Sequence, residues 1–288
     1  MKTLRRSMIL AAAILAAVAQ PASAAKPPTL WGTTGACKND FPGGPCTQQS
    51  TLVELDPQNG ALIKTIGPVG YTVNGLAWDR NGQKLYATTA IGDVKFHGLI
   101  TIDTRTGAGT PVDRRAVNFG LSGADSPIHT ITIDLGGRMV GWYDEPSGPG
   151  LSDTFVQIDK RTGVATEFPA TGIDTAQNGL SFSEFDILWN IDVPRGPVTS
   201  RTQLAYMIDP ADGKPLCWRT LNPPTPAALG DFNDENDLYY GLNFDNSDFT
   251  TPFKTFIVVV DLHSGTVTTL GRTVDDLHTL AFNRKGKK

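Results

Sequence analysis

The chain has little of what reactive chemistry usually requires. Its 288 residues include four histidines and three cysteines. None falls in a Cys-x-x-Cys or His-Glu-x-x-His spacing, and no Gly-x-Ser-x-Gly elbow or Gly-rich phosphate loop occurs. These absences remove the motif-level case for a thiol oxidoreductase, a zincin, an α/β-hydrolase or a nucleotide-binding protein. Beyond the first 25 residues there is no sustained helical period, and no apolar run is long enough to cross a bilayer. A concentrated basic face is also missing.

The first 25 residues read as an export signal. Lys2, Arg5 and Arg6 precede an apolar run from Met8 to Val18, and Ala22-Ser23-Ala24 supplies a cleavage site. Nothing around Cys37 looks like a lipid-attachment signal, so the sequence predicts a soluble periplasmic or secreted protein, residues 26–288, folded as one domain. Taking the three leader bases from the 25 Lys and Arg, against 29 Asp and Glu, leaves a mature charge of −7. That disfavours nucleic acid and anionic membrane surfaces as partners. Cys37 and Cys46 bracket a Pro/Gly-rich loop, where an oxidising compartment favours a disulfide. Cys217, beside Trp218, is expected to be a buried, inert thiol.

What the chain does have is one phrase in five copies, apolar-x-apolar-Asp-x-x-x-Gly. The copies run Asp56 to Gly60, Asp103 to Gly107, Asp159 to Gly163, Asp209 to Gly213 and Asp261 to Gly265. Successive Asp residues are 47, 56, 50 and 52 positions apart, the period of a propeller blade. The residue before each Asp and the one two further back are apolar throughout, as a half-buried strand requires. The Asp suits the turn backbone and the Gly a positive φ, so each phrase predicts a hairpin rather than a metal ligand. Two further strands recur at the same period. One contains Trp78, Ile133, Phe182, Phe232 and Phe282. The other contains Leu85-Tyr86, Met139-Val140, Leu188-Trp189 and Leu238-Tyr239. Leu30-Trp31 fits the second series with no partner strand before it, and Leu277 to Asn283 fits the first with none after it.

The predicted fold is therefore an all-β, five-bladed propeller of four-stranded blades, closed by pairing the two chain ends in one blade. Blade one is residues 29–67 with 277–283, blade two 74–114, blade three 128–169, blade four 178–221 and blade five 228–272. The phrases Leu-Ile-Thr-Ile-Asp-Thr-Arg-Thr-Gly (99–107) and Asn-Gly-Leu-Ala-Trp-Asp-Arg-Asn-Gly (74–82) resemble the repeats of NHL, YVTN and quinoprotein-like propellers. They are most similar to secreted propellers of unassigned function with Leu-x-x-Ile-Asp-x-x-Thr-Gly repeats. The resemblance spans nearly all of the mature chain. It implies fold and export and transfers no catalytic residue.

Candidate chemistry gathers at one end. The loops expected on one face are long and irregular: 35–50, 90–98, 144–153, 193–201 and 243–254. Variable loops on a rigid scaffold are where binding usually sits. The residues opening the innermost strands align as Asn74, His129, Asn178, Ala228 and His278. Two imidazoles and two carboxamides would then meet at one mouth of the channel, with Asp125, Asp174, Asp275 and Asp276 nearby. Such a set suits a metal, a hydroxylated ligand or an acid/base pair. The plainer reading is a ring of small polar residues around a water-filled channel. Among the functional readings ligand binding outranks catalysis, and no metal or cofactor is expected, because Asn rarely ligates transition metals and His does not suit calcium.

Several single features receive plainer readings. The acidic run from Asp231 to Asp237 reads as a solvated hairpin turn, and His97 and His263 read as surface residues. Trp31, Tyr86, Trp189 and Tyr239 read as packing between blades, and Trp142 with Tyr143 as an exposed aromatic pair at a loop lip. The expectation is a monomeric, non-enzymatic binding or scaffold propeller that takes an unidentified small molecule or protein on its loop-rich face. The alternative is a hydrolase or lyase built on His129 and His278.

Overall fold

The computed structural model describes residues 28–35, 49–90, 93, 95–121, 128–143, 152–175, 177–193, 202–245 and 254–284. Residues 1–25, expected to be an export signal, together with Cys37, Cys46, Asp125 and most of the long loops, lie outside them. The strands run in chain order, and each blade takes a block of them. Blade one holds β1 (Leu30–Thr34), β2 (Thr51–Leu55) and β3 (Leu62–Pro68), and blade two β4 (Val73–Asp79), β5 (Lys84–Thr89), β6 (Leu99–Ile102) and β7 (Gly109–Pro111). Blade three holds β8 (Ile128–Ile133), β9 (Met139–Tyr143), β10 (Thr154–Ile158) and β11 (Ala165–Glu167). Blade four holds β12 (Gln177–Phe182), β13 (Leu188–Val193), β14 (Leu204–Ile208) and β15 (Pro215–Thr220). Blade five holds β16 (Ala228–Asn233), β17 (Leu238–Asp245), β18 (Lys254–Asp261) and β19 (Thr266–Arg272), after which β20 (Leu277–Phe282) returns to blade one.

Each blade is an antiparallel four-stranded sheet, and blade one has the order β20-β1-β2-β3. The last strand meets the first in register, Leu30 opposite Phe282 and Gly32 opposite Leu280. The innermost strands pack in a closed ring, β20 on β4, β4 on β8, β8 on β12, β12 on β16 and β16 on β20. The protein is a five-bladed propeller closed by its own chain ends.

The repeated phrase folds identically five times. Asp56, Asp103, Asp159, Asp209 and Asp261 each accept the backbone N–H two residues on at 2.7–2.8 Å. The glycine four residues on donates its N–H to the same Asp's carbonyl at 2.7–2.8 Å. Its φ lies between +74° and +84°, where a Cβ would strain the backbone.

Apolar residues divide into five clusters, one at each seam between neighbouring blades. Trp31, Val73 and Leu85 fill the seam of blades one and two, and Leu30, Leu242 and Phe282 that of blades five and one. Burial falls from the axis outwards: every residue of β4 and β20 is buried, and every residue of β15 is exposed.

Cys217, Trp142 and Tyr143 fall elsewhere than the sequence implied, and one strand aligns differently. Tyr240, not Tyr239, is the blade-five counterpart of Tyr86, because the turn after β16 is one residue longer than in blades three and four, so that Phe232 pairs with Tyr239 and Asp231 with Tyr240. Cys217 is exposed, since it lies in the outermost strand of blade four. Trp142 and Tyr143 are buried, because β9 runs between two other strands of its blade; the Trp142 indole donates to Asp153 at 2.9 Å.

Tyr239 instead packs in the seam of blades four and five, where its hydroxyl accepts the Gly230 N–H at 2.8 Å. A Cβ on Gly179 would collide with that hydroxyl. Gly179→Ala is therefore expected to destabilise by about 1–3 kcal/mol. In urea unfolding, Tyr239→Phe should absorb part of that loss, so the double variant loses less than the sum of the singles.

Candidate functional site

The register places the sequence candidates at one level of the ring. In order around it stand His278, Asn74, His129 and Asn178, each just before the residue paired with Thr33, Thr88, Trp142 or Ile191. By the same pairing the fifth position is Ala227 rather than Ala228, which itself pairs with Leu242. His278, Asn74 and His129 are bulge residues, each the extra member of two residues facing one. A bulge at an equivalent point in three blades redirects those side chains locally, a device common beside binding sites. Asn178 stays in regular pairing opposite Asp192.

The four side chains differ in what they still have to offer. Asn178 is fully buried and satisfied: its Oδ1 accepts the Thr130 hydroxyl at 2.5 Å and its amide donates to Thr175 at 3.4 Å. His129 is half-buried and has a partner. Asn74 is 1% exposed and its Oδ1 has no partner; His278 is 5% exposed and its Nε2 has none. A buried polar atom left unpaired costs about 1–3 kcal/mol, so two at neighbouring positions of one ring call for an explanation.

Burial pushes the His278 imidazole down to about 4, against the weaker upward pull of Asp276. It is therefore neutral at physiological pH, and its ring lies beside Phe244, with centroids 6.5 Å apart. Gly75 follows Asn74 because blade three comes close there: a Cβ would sit 2.8 Å from the Thr88 hydroxyl and 2.9 Å from the His129 carbonyl. Of the nearby carboxylates, Asp275 is held by Arg272 at 2.8 Å, and Asp174 is exposed. Among the described residues no three His, Cys, Asp or Glu side chains group to hold a metal ion.

The opposite end of the channel carries a charged cluster that the sequence reading missed. Asp231 occupies the level where the other inner strands have Ala77, Thr132, Ser181 and Ala281. Arg284, just beyond β20, fills the space those small residues leave. Its guanidinium pairs with Asp231 and donates to the Ser181 hydroxyl at 3.1 Å and the Phe182 carbonyl at 2.8 Å. Asp231 also accepts the Ser181 hydroxyl at 2.5 Å and the Phe232 and Phe282 N–H groups at 2.9 Å each. The Arg284 carbonyl accepts the Trp78 indole at 3.0 Å. Asp234 pairs with Arg80 at 3.3 Å and approaches Arg284 at 3.6 Å; burial raises its pKa, and burial together with Arg284 lowers that of Arg80. The cluster draws groups from blades one, two, four and five. Asp231 is thus an inner-strand residue and not part of the turn, which begins only after Asn233.

The histidines outside the ring divide. His263 is exposed in its turn, as expected, whereas His97 is buried edge-on against Phe119 at 5.5 Å, because its loop folds inward.

No family model and no curated protein matches the chain. Among solved structures it is similar to Kuenenia stuttgartiensis hydrazine synthase, at 11% identity and a TM-score of 0.41 over 77% of this chain and 60% of that one. It is also similar to an engineered GH43 glycoside hydrolase with endo-xylanase and exo-arabinofuranosidase activity, at 10% identity and 0.48 over 79% of this chain and 44% of that one. Regucalcin from Agrobacterium tumefaciens, a calcium-binding protein, stands at 14% and 0.43 over 77% and 66%. The chain thus spans about three-fifths of the hydrazine synthase chain and less than half of the hydrolase. Likeness at this level transfers no chemistry, and the fold rests on the strand pairing itself.

Proposed function

We propose that this is an exported, non-enzymatic binding propeller that takes a small neutral, hydroxyl-bearing solute at the mouth where the inner strands begin. The carrying observation is the pair of buried, unpartnered atoms at adjacent ring positions, Asn74 Oδ1 and His278 Nε2. A solute hydroxyl can donate to the carboxamide oxygen, and a second can pair with the imidazole nitrogen in either tautomer. Neutrality follows from the site: the carboxamide carries no charge, and His278 stays unprotonated down to about pH 4. The charged cluster around Arg284 spans the far end of the channel, so access is from the mouth. Binding is favoured over acid/base chemistry because an imidazole with so low a pKa is a weak base near neutrality.

The test is a thermal-shift screen of the mature chain against polyols, monosaccharides and small amides, with charged analogues alongside. A ligand bound only by the folded state raises the midpoint by mass action. Neutral hydroxylated solutes should raise it, their charged analogues should not, and the shift should vanish in Asn74→Leu. A flat screen, or a shift that survives in Asn74→Leu, contradicts the reading.

A further inference from the structure

The unpaired atoms of the mouth continue into the second strands, and only on one side of the ring. At the level of Asn74 and His278 the second strands carry Thr33, Thr88, Trp142, Ile191 and Leu242, one in each blade. Thr33 and Thr88 alone bring a hydroxyl there, and their positions are equivalent. Thr33 lies opposite Thr279, just after the bulge residue His278, as Thr88 lies opposite Gly75, just after Asn74.

The two threonines differ in what they touch. Thr88 is fully buried and satisfied: its hydroxyl accepts the Gly75 N–H at 2.9 Å and donates to the Ile128 carbonyl of blade three at 2.8 Å. Thr33 is also 0% exposed, yet its hydroxyl has no partner. Thr88 reaches across its seam to the residue that precedes the next ring residue, His129. Thr33 faces the seam of blades one and two in the same way, since Trp31, two residues before it on the same face of β1, packs in that seam. The next ring residue there is Asn74.

Three buried polar atoms without partners therefore follow one another along one arc of the mouth, His278 Nε2, Thr33 Oγ1 and Asn74 Oδ1. Their equivalents further round are bonded, Thr88 as above and Asn178 to Thr130 and Thr175. Buried polar groups are ordinarily paired, so three unpaired ones on a single arc call for one shared explanation.

We infer that Thr33 is a third ligand-binding residue, and that the solute is a polyol with three or more hydroxyls on consecutive carbons, lying off the channel axis across the seam of blades one and two. This rests on the binding function proposed above and narrows its ligand. The Asn74 oxygen only accepts, the imidazole nitrogen accepts or donates according to its tautomer, and the Thr33 hydroxyl does both. Consecutive hydroxyls match such a row, because each of them also donates and accepts. A mono-alcohol or a vicinal diol leaves at least one of the three protein atoms unpaired. A ring that already fixes its hydroxyls costs less to immobilise than an open chain, so a cyclic polyol of monosaccharide size fits best.

The test follows the melting midpoint against concentration for myo-inositol, the common hexoses and cis-cyclohexane-1,2-diol, a six-membered ring with only two hydroxyls. At least one polyol should bind the parent about tenfold more tightly than the diol, the worth of one further neutral hydrogen bond. Thr33→Val should remove that advantage and leave the diol unchanged. Ligand-free urea unfolding separates a binding role from a structural one. Thr33→Val should unfold at the parent's midpoint or above it, whereas Thr88→Val, which loses two hydrogen bonds, should unfold below it. Equal affinity for polyols and diol, parental polyol binding by Thr33→Val, or a Thr33→Val variant destabilised like Thr88→Val would each overturn this inference and leave the mouth site standing. The same holds if other neutral solutes shift the parent and every polyol fails. If no solute of any kind shifts it, the binding function itself fails, and this inference with it.

Discussion

Replacing Asp231 with alanine should destabilise the propeller by about 3–5 kcal/mol, because it leaves the buried Arg284 guanidinium without its charge partner. Arg284 is 4% exposed, and Asp231 is its charge partner at the centre of the ring. The loss has two further components. The Phe232 and Phe282 N–H groups lose their acceptor, and Ser181 loses its hydrogen bond. Asp234 cannot compensate, since it is 3.6 Å from Arg284 Nε and already engaged by Arg80. Arg284→Met alone should be comparably harmful, as it leaves Asp231 buried and unpaired. The double variant Asp231→Leu/Arg284→Met should recover much of the loss, because well-packed apolar groups often replace a buried ion pair at little penalty. Urea unfolding of the four proteins checks this. A loss below about 1 kcal/mol for Asp231→Ala, the range of an exposed pair, would mean that the cluster is solvated.

The second large effect is a loss of stability in mild acid. Folding lowers the His278 pKa from 6.5 to about 4, so the unfolded chain binds this proton more readily. The contribution is fully present above pH 6.5 and is lost as pH falls towards 4. By pH 5 the loss amounts to about 2 kcal/mol, from 1.36 kcal/mol per pH unit over the part of the window crossed. Other groups titrate in the same range, so the comparison that isolates it is the parent against His278→Gln. The difference in unfolding free energy between pH 7 and pH 5 should be smaller in the variant by about that amount. Parallel pH profiles for the two proteins would show that the imidazole is solvated in the folded state.

The architecture was legible because its signals are local and repeated. Asp56 and its four counterparts each need only their own turn, so the phrase specified every outer hairpin, and its period gave the number of blades. The lone strand signals at Leu30 and Leu277 gave the closure. Errors arose where tertiary position outweighs local pattern. Leu238-Tyr239-Tyr240 aligns one residue out because the turn before it is one residue longer than in blades three and four, and the apolar Leu238 stands where blade two has Lys84. Trp142 adjoins a long loop in sequence, yet it lies in a seam. Cys217 reads as apolar among Leu216 and Trp218, although its strand is the outermost of its blade.

The charged cluster was missed for another reason. Arg284 lies in a basic tail after the last strand, and Asp231 heads an acidic run, so each reads as a solvated segment. One signal was available: a single carboxylate stands where the other inner strands carry Ala77, Thr132, Ser181 and Ala281. The mouth candidates were legible as a series, but the difference between the satisfied Asn178 and the unpaired Asn74 depends on Thr130 and Thr175, which only the folded ring brings together.

The central claim is that Asn74 Oδ1 is kept unpaired for a ligand at the expense of stability, and the unfolding free energy of ligand-free Asn74→Leu tests it most directly. Leucine has nearly the shape of asparagine and leaves no buried acceptor without a partner. The variant should be more stable than the parent by about 1 kcal/mol while failing to respond to any solute that shifts the parent. A less stable variant would mean that the carboxamide serves the fold itself, through ordered water, and would contradict a binding site at this position.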